Sequence, residues 1–145
     1  MDLIQTIDIA AEGMTAQRTR LNVISANLAN AHTTRTKDGT PYRRKTVIFE
    51  AVPVRSPFHR HLRNAMDNEL YGVRVREIAP VKGEFKRLFD PSHPDADENG
   101  YVYLPNVDYV SEMVSMLNAS RSYEANASAI KTAKEMALKA LEIGR

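Results

Sequence analysis

The chain has no cysteine in 145 residues, so disulfides and thiolate metal sites are excluded. No stretch approaches the roughly 18 consecutive apolar residues of a membrane-spanning helix, so membrane insertion is not predicted. The first residues lack the basic start, apolar run and cleavage site of a secretory leader. Glycines number only six. None lies in a phosphate-cradling run, and no serine sits in a Gly-x-Ser-x-Gly setting. Catalysis therefore has no motif to stand on, and the expectation is a protein without enzymatic activity or cofactor.

The formal charge is only +2, but it is unevenly divided. Residues 33–90 carry 13 Lys/Arg against 7 Asp/Glu, whereas residues 91–145 are net acidic. This split favours contact between identical or related subunits; a solvated surface is the plain alternative. A basic nucleic-acid-binding module built on Arg43, Arg44, Lys45, Arg74 and Arg76 is a rival reading. It lacks a helix-turn-helix, an aromatic RNA-binding strand motif or a basic helix, so no nucleic-acid partner is predicted.

The positive content lies at the two ends. In residues 2–31 apolar or small side chains recur at Leu3, Ile7, Ala10, Met14, Leu21, Ile24, Leu28 and Ala31, the alternating three-and-four spacing of a coiled-coil seam, with Gln17 as its polar break. Residues 106–143 carry a matching seam through Tyr109, Met113, Met116, Ser120, Tyr123, Ala127, Ile130, Ala137 and Leu141, broken at Lys134. Asp2 is the expected cap of the first helix, Asn106 or Asp108 that of the second, and Gly144 its closing signal. Asn30 to Thr34 marks the expected end of the first helix, leading into the Lys37 to Pro41 turn. The second helix is rich in alanine and serine, and one partner helix from the same chain cannot cover all its small-residue faces.

Between the ends, residues 42–54, 71–78 and 84–89 read as three short strands, and 90–105, with Pro91, Pro94 and Pro105, as a hinge that no helix crosses. Residues 55–70 are expected to form a mobile loop. The predicted fold class is α+β: two long terminal helices paired as a coiled-coil-like hairpin, with a small irregular β-rich middle, elongated overall. The expected parts are an N-terminal helix within 1–33, a middle region 34–105 and a C-terminal helix within 106–145.

Two segments carry partial metal-ligand spacing. Asp95 to Gly100 has the spacing of half an EF-hand loop, but Asn106 stands where the bidentate carboxylate belongs. A proline-bounded turn with side-chain-to-backbone hydrogen bonds explains it better. His59 and His61 lack a third ligand nearby, so no metal is predicted.

The candidate assembly interface comprises Leu3, Ile7, Met14, Gln17, Leu21, Asn22, Ile24, Asn27, Leu28, Asn30, Met113, Met116, Tyr123, Ala127, Ile130, Ala137 and Leu141. The carboxamides Gln17, Asn22, Asn27 and Asn30 lower helix propensity and can fix register between subunits, as a buried polar seam residue does in coiled coils.

The run Gly13 to Ala31 (GMTAQRTRLNVISANLANA) resembles the N-terminal signature of bacterial flagellar rod and hook proteins. The blocks Asp90 to Val102, Leu104 to Asp108, Glu112 to Val114 and Ala119 to Asn126 resemble members of that family from the proximal rod. The resemblance implies a structural subunit of the flagellar drive shaft, in the basal body within the periplasm, exported uncleaved through the flagellar type III apparatus. It further implies paired terminal helices that form an inner tube, transmit torque and line the export channel. The implied partners are other proximal and distal rod proteins, copies of the same chain, the basal-body adaptor and the export apparatus. Long amphipathic ends without neighbours are expected to be largely disordered in the monomer and to fold on incorporation.

Overall fold

The structure, a computed structural model, describes residues 3–54 and 70–144. Its element order is α1 (Leu3–Ala29), β1 (Lys45–Pro53), β2 (Tyr71–Pro80), β3 (Lys86–Phe89), β4 (Tyr101–Leu104) and α2 (Tyr109–Ile143). At 1.5 Å per residue α1 is about 40 Å long and α2 about 53 Å. The α+β architecture is as expected. The cap expected of Asp2 and the loop expected near 55–70, with its His59 and His61, lie outside the described residues.

The helices pack antiparallel. Asn27 of α1 bonds to Glu112 of α2, and Gly13 faces Asn126. The 14 residues from Asn27 back to Gly13 thus match the 14 from Glu112 on to Asn126, a register held over four turns. Buried positions are Ala10, Gly13, Ala16, Val23, Ile24 and Asn27 on α1, and Glu112, Ala119 and Ala133 on α2.

This corrects the expected seam. Half of its positions hold, among them Ala10, Gln17 and Ile24 on α1 and Met116, Tyr123, Ile130 and Ala137 on α2. The intervening positions fall one residue earlier, at Gly13 and Asn27 instead of Met14 and Leu28, and at Glu112, Ala119, Asn126 and Ala133 instead of Met113, Ser120, Ala127 and Lys134. At Gly13, Ala119 and Ala133 the cause is size, because small side chains let the two backbones approach, and at Asn27 and Glu112 it is the hydrogen bond that pairs them. A Cβ placed on Gly13 would lie 2.8 Å from the Asn126 amide nitrogen. Lys134 is exposed, so the apparent break in the second helix vanishes.

β1 and β2 form an antiparallel hairpin running from Lys45↔Pro80 to Pro53↔Tyr71, with a register shift between Ile48 and Phe49. It lies against α1. The third expected strand is shorter than predicted, and a fourth, β4, lies in the segment expected to be only a hinge; β3 and β4 pair from Lys86↔Leu104 to Phe89↔Tyr101. What permits it is Gly100, at φ 78°, which turns the chain back so that Tyr101 to Leu104 can alternate faces, with the prolines outside the pairing. The turn itself matches expectation. Asp90 accepts from the Ser92 amide and hydroxyl, and Asp97 from the amides of Asn99 and Tyr101.

α1 ends at Ala29, where the Asn30 side chain folds back to donate to the Ala26 carbonyl at 2.8 Å. The following turn is tightened by Gly39 at φ 75°, and the Tyr42 amide donates to the Thr33 carbonyl, returning the chain beside α1. Asp108 caps α2 by accepting from the Ser111 amide at 2.9 Å, a bond that lowers its carboxyl pKa. Asn106 serves elsewhere, as described below. Gly144 follows α2 without a left-handed turn (φ −84°), its amide donating to the Ala140 carbonyl.

Because the helices meet at Gly13, Gly13→Leu is expected to lower stability by about 1–3 kcal/mol through overpacking. Asn126→Ala in the same chain should restore part of the loss. Urea unfolding of the single and double variants measures both.

Candidate assembly interface

The helix pair is joined at one end by a buried polar cluster. Asn27 is 1% exposed and all four of its amide positions are filled. Its Nδ2 donates to the Lys45 carbonyl at 2.8 Å and to Glu112 Oε2 at 2.9 Å. Its Oδ1 accepts from the Lys45 amide at 2.9 Å and the Tyr42 hydroxyl at 3.0 Å. One side chain therefore mimics a strand partner for the start of β1 while gripping α2.

Glu112 is 0% exposed, and its second oxygen accepts from Arg44 Nε at 2.6 Å. The pair leaves neither carboxylate oxygen without a donor, which a buried charge requires. The Arg44 amide donates to Asn106 Oδ1 at 2.9 Å, and Asn106 Nδ2 donates to the Val81 carbonyl at 3.2 Å. The cluster thus ties α1, the start of β1, the residue that follows β2 and the entry to α2. Burial, with the Glu112 carboxylate a smaller contributor, raises the Tyr42 pKa.

These contacts relocate two expected roles. Asn27, expected to fix register between subunits, has its hydrogen-bonding capacity filled inside the chain, where it sets the register of α1 against α2. Asn30, beyond its bond to Ala26, accepts from the Thr33 hydroxyl at 3.2 Å and so closes the helix end. Of the other carboxamides, Asn22 is exposed and Gln17 is half-buried, its Oε1 buried without a partner among the described residues. Leu3, Ile7, Met14, Leu21 and Leu28 are half-buried, as are Met116, Tyr123, Ala127, Ile130 and Ala137; Ile24 is buried.

The basic residues proposed for nucleic acid are partly engaged. Arg44 is paired with Glu112, and Arg43 stacks 4.6 Å from the Phe85 ring while donating to the Gly83 carbonyl.

What the helix pair does not cover is its outer side. Val110, Met113, Val114 and Leu117 are exposed along the first turns of α2, at the spacing of one helix face. Leu138, Leu141 and Ile143 are exposed at its other end, Ile143 by 87%. The register that joins Gly13 to Asn126 sets Leu3 opposite Met136, so residues 138–143 project past the described start of α1. Met113 and Leu141, expected on the seam between the helices, are on this outer side. Sequence reasoning missed Glu112, Arg44 and Tyr42, although a lone acidic residue four positions after a helix cap, inside a small-residue stripe, was a signal.

Terminal helices that leave whole apolar faces bare belong to a subunit completed by its neighbours. Comparison with known proteins agrees. The family model described as flagella basal body rod protein matches residues 7–37, and that of the C-terminal region of the flagellar basal body rod FlgEFG proteins matches residues 98–143. Similar along nearly the whole chain are flagellar basal-body rod proteins FlgC from Borreliella burgdorferi, 47% identical over 99% of this chain and 98% of that one, and Aquifex aeolicus, 46% identical over 94% and 92%. The one from Bacillus subtilis is 41% identical over the full length of both. The chain belongs to the FlgC family of flagellar basal-body rod proteins and is a structural subunit of the rod.

Two outcomes follow from the polar cluster. Asn27→Ala strands the Glu112 carboxylate and the Lys45 backbone, and chemical denaturation should show a loss of about 2–4 kcal/mol. Because the folded-state pKa of Tyr42 is raised, its contribution is full below the ordinary tyrosine range and is lost as pH climbs through the folded value. Stability measured against pH should therefore fall on the alkaline side, and fall less steeply in Tyr42→Phe.

Proposed function

We propose that this subunit builds the proximal part of the rod by packing the outer sides of α1 and α2 against related subunits, with the helix pairs forming a tube that transmits torque and lines a channel. The observation that carries this reading is the bare apolar face Val110, Met113, Val114 and Leu117, which nothing in the chain covers among the described residues. Hydrophobic burial of four such side chains against a neighbour is worth several kcal/mol, at about 1.5–3 kcal/mol each.

Within the same reading, the interface extends over Leu3, Ile7, Met14, Gln17, Leu21, Asn22, Ile24, Leu28, Met113, Met116, Tyr123, Ala127, Ile130, Ala137 and Leu141. The partners are copies of this chain, other rod proteins, the basal-body adaptor and the export apparatus. The place is the periplasmic section of the basal body, reached through the flagellar export route without cleavage of a leader. The subunit has no catalytic role. No described helix is long and apolar enough to cross a membrane, which is compatible with a periplasmic shaft. The small, polar seam between the helices supports helices that are marginal in the free subunit and firm up on incorporation.

The test is Met113→Asp combined with Leu117→Asp. The far-UV circular dichroism of the free subunit should be unchanged, while the variant should fail to enter isolated basal bodies and cells carrying it should not swim. Helicity of the wild-type free subunit below that of the two full helices supports folding on assembly. Normal motility of the double variant would overturn the assignment of this face.

A further inference from the structure

The chain contains one Asn-Gly pair, Asn99-Gly100, and it lies in the segment that joins β3 to β4. Asparagine before glycine is chemically labile, because glycine has no side chain to keep its nitrogen away from the preceding carboxamide. Asn99 is exposed, and its side chain has no hydrogen-bond partner among the described residues. Neither burial nor bonding shields the carboxamide itself.

The attacking nitrogen is what the fold restrains. The Gly100 amide donates to the Asp97 carbonyl at 2.9 Å, closing a four-residue turn. Asp97 Oδ1 accepts from the Asn99 and Tyr101 amides, each at 2.9 Å, and the Gly100 carbonyl accepts from the Asp90 amide at 2.9 Å. Three successive peptide units are therefore pinned. Gly100 is also packed: a Cβ built on it would lie 3.0 Å from the Phe89 ring and 3.1 Å from Pro91. Cyclisation needs the nitrogen and the carboxamide carbon in contact and aligned, and a pinned peptide unit whose N–H points at Asp97 cannot turn to reach Asn99 Cγ.

We propose that Asn99 is a spontaneous deamidation site, closed in the folded β3–β4 ribbon and open in the unfolded chain. The Gly100 nitrogen forms a bond to Asn99 Cγ, the carboxamide leaves as ammonia with the proton from that nitrogen, and water then opens the cyclic imide at either carbonyl. The products are aspartate and isoaspartate. Each adds a negative charge beside Asp97 and Glu98, and isoaspartate also adds a carbon to the backbone of the turn. The longer turn cannot keep the Phe89↔Tyr101 pairing together with the bonds to Asp97. The ribbon buries Val102 and, through the bond from Lys86 Nζ to the Val107 carbonyl at 3.3 Å, holds the entry to α2. A subunit that reacts while unfolded therefore loses the ribbon and the support it gives to α2.

The purified full chain is held in mildly alkaline buffer with and without urea, and the peptide containing residue 99 is followed by mass spectrometry. Conversion to aspartate and isoaspartate is expected to be several-fold faster in urea. Asp97→Ala removes the carboxylate that braces the turn, and it should speed conversion several-fold without urea. Hydrogen exchange at the Gly100 amide of the unaltered chain is a second measure that needs no variant: across a range of urea concentrations, conversion should rise in step with the opening of that amide. Equal conversion with and without urea, an unchanged rate in Asp97→Ala, or conversion while the Gly100 amide stays protected would overturn the proposal.

Discussion

A buried amide bonded to a buried carboxylate, Asn27 to Glu112, is the contact on which the rest of this structure depends. In a low-dielectric interior each of the two is costly alone and favourable only when every polar position is filled. Asn27 is filled by the backbone of Lys45, the hydroxyl of Tyr42 and Glu112, and Glu112 by Asn27 and Arg44. That arithmetic admits very few arrangements. A slip of α1 by one residue would turn Asn27 away and leave a bare carboxylate, so the cluster fixes the helix register, the entry of β1 and the start of α2 together.

Below the cluster the helices touch through Gly13, Asn126 and a run of alanines. Such a seam supplies close approach in place of a large buried apolar area, and it leaves the longer side chains to the outside. The division suits an assembling subunit, because apolar surface kept out of the intrachain contact remains for contacts between chains. It also explains how the chain can be a member of a rod family while having a thin core of its own: the largest fully buried side chains are Glu112, Val102, Asn27 and Pro105, two of them polar.

Much of this could be read from the sequence. The terminal periodicity located both helices to within two or three residues, and the Gly13 to Ala31 run pointed to the family. The seam was legible only by halves, because hydropathy ranks Met14 above Gly13 and Met113 above Glu112, whereas packing here selects for small size and for a satisfied polar pair. Periodicity carries no information about a carboxylate whose partners lie 68 and 85 residues away. β4 was obscured by the prolines around it, since proline ends an element without saying whether a short strand fits between two of them. The outer faces have no signature beyond being apolar, and in a lone sequence an apolar position is equally a core position.

The polar cluster also sets when the chain can become itself. Asn27 and Tyr42 are near the front, but the carboxylate that completes them arrives with Glu112, and most of the intervening sequence must be present first. Closing so long a loop is entropically unfavourable until the final contact rewards it. The front two-thirds of the polypeptide therefore holds an incomplete hydrogen-bonding site and no means of completing it. The hydrogen-bonding site around Asn27 is therefore completed only when the last helix is available.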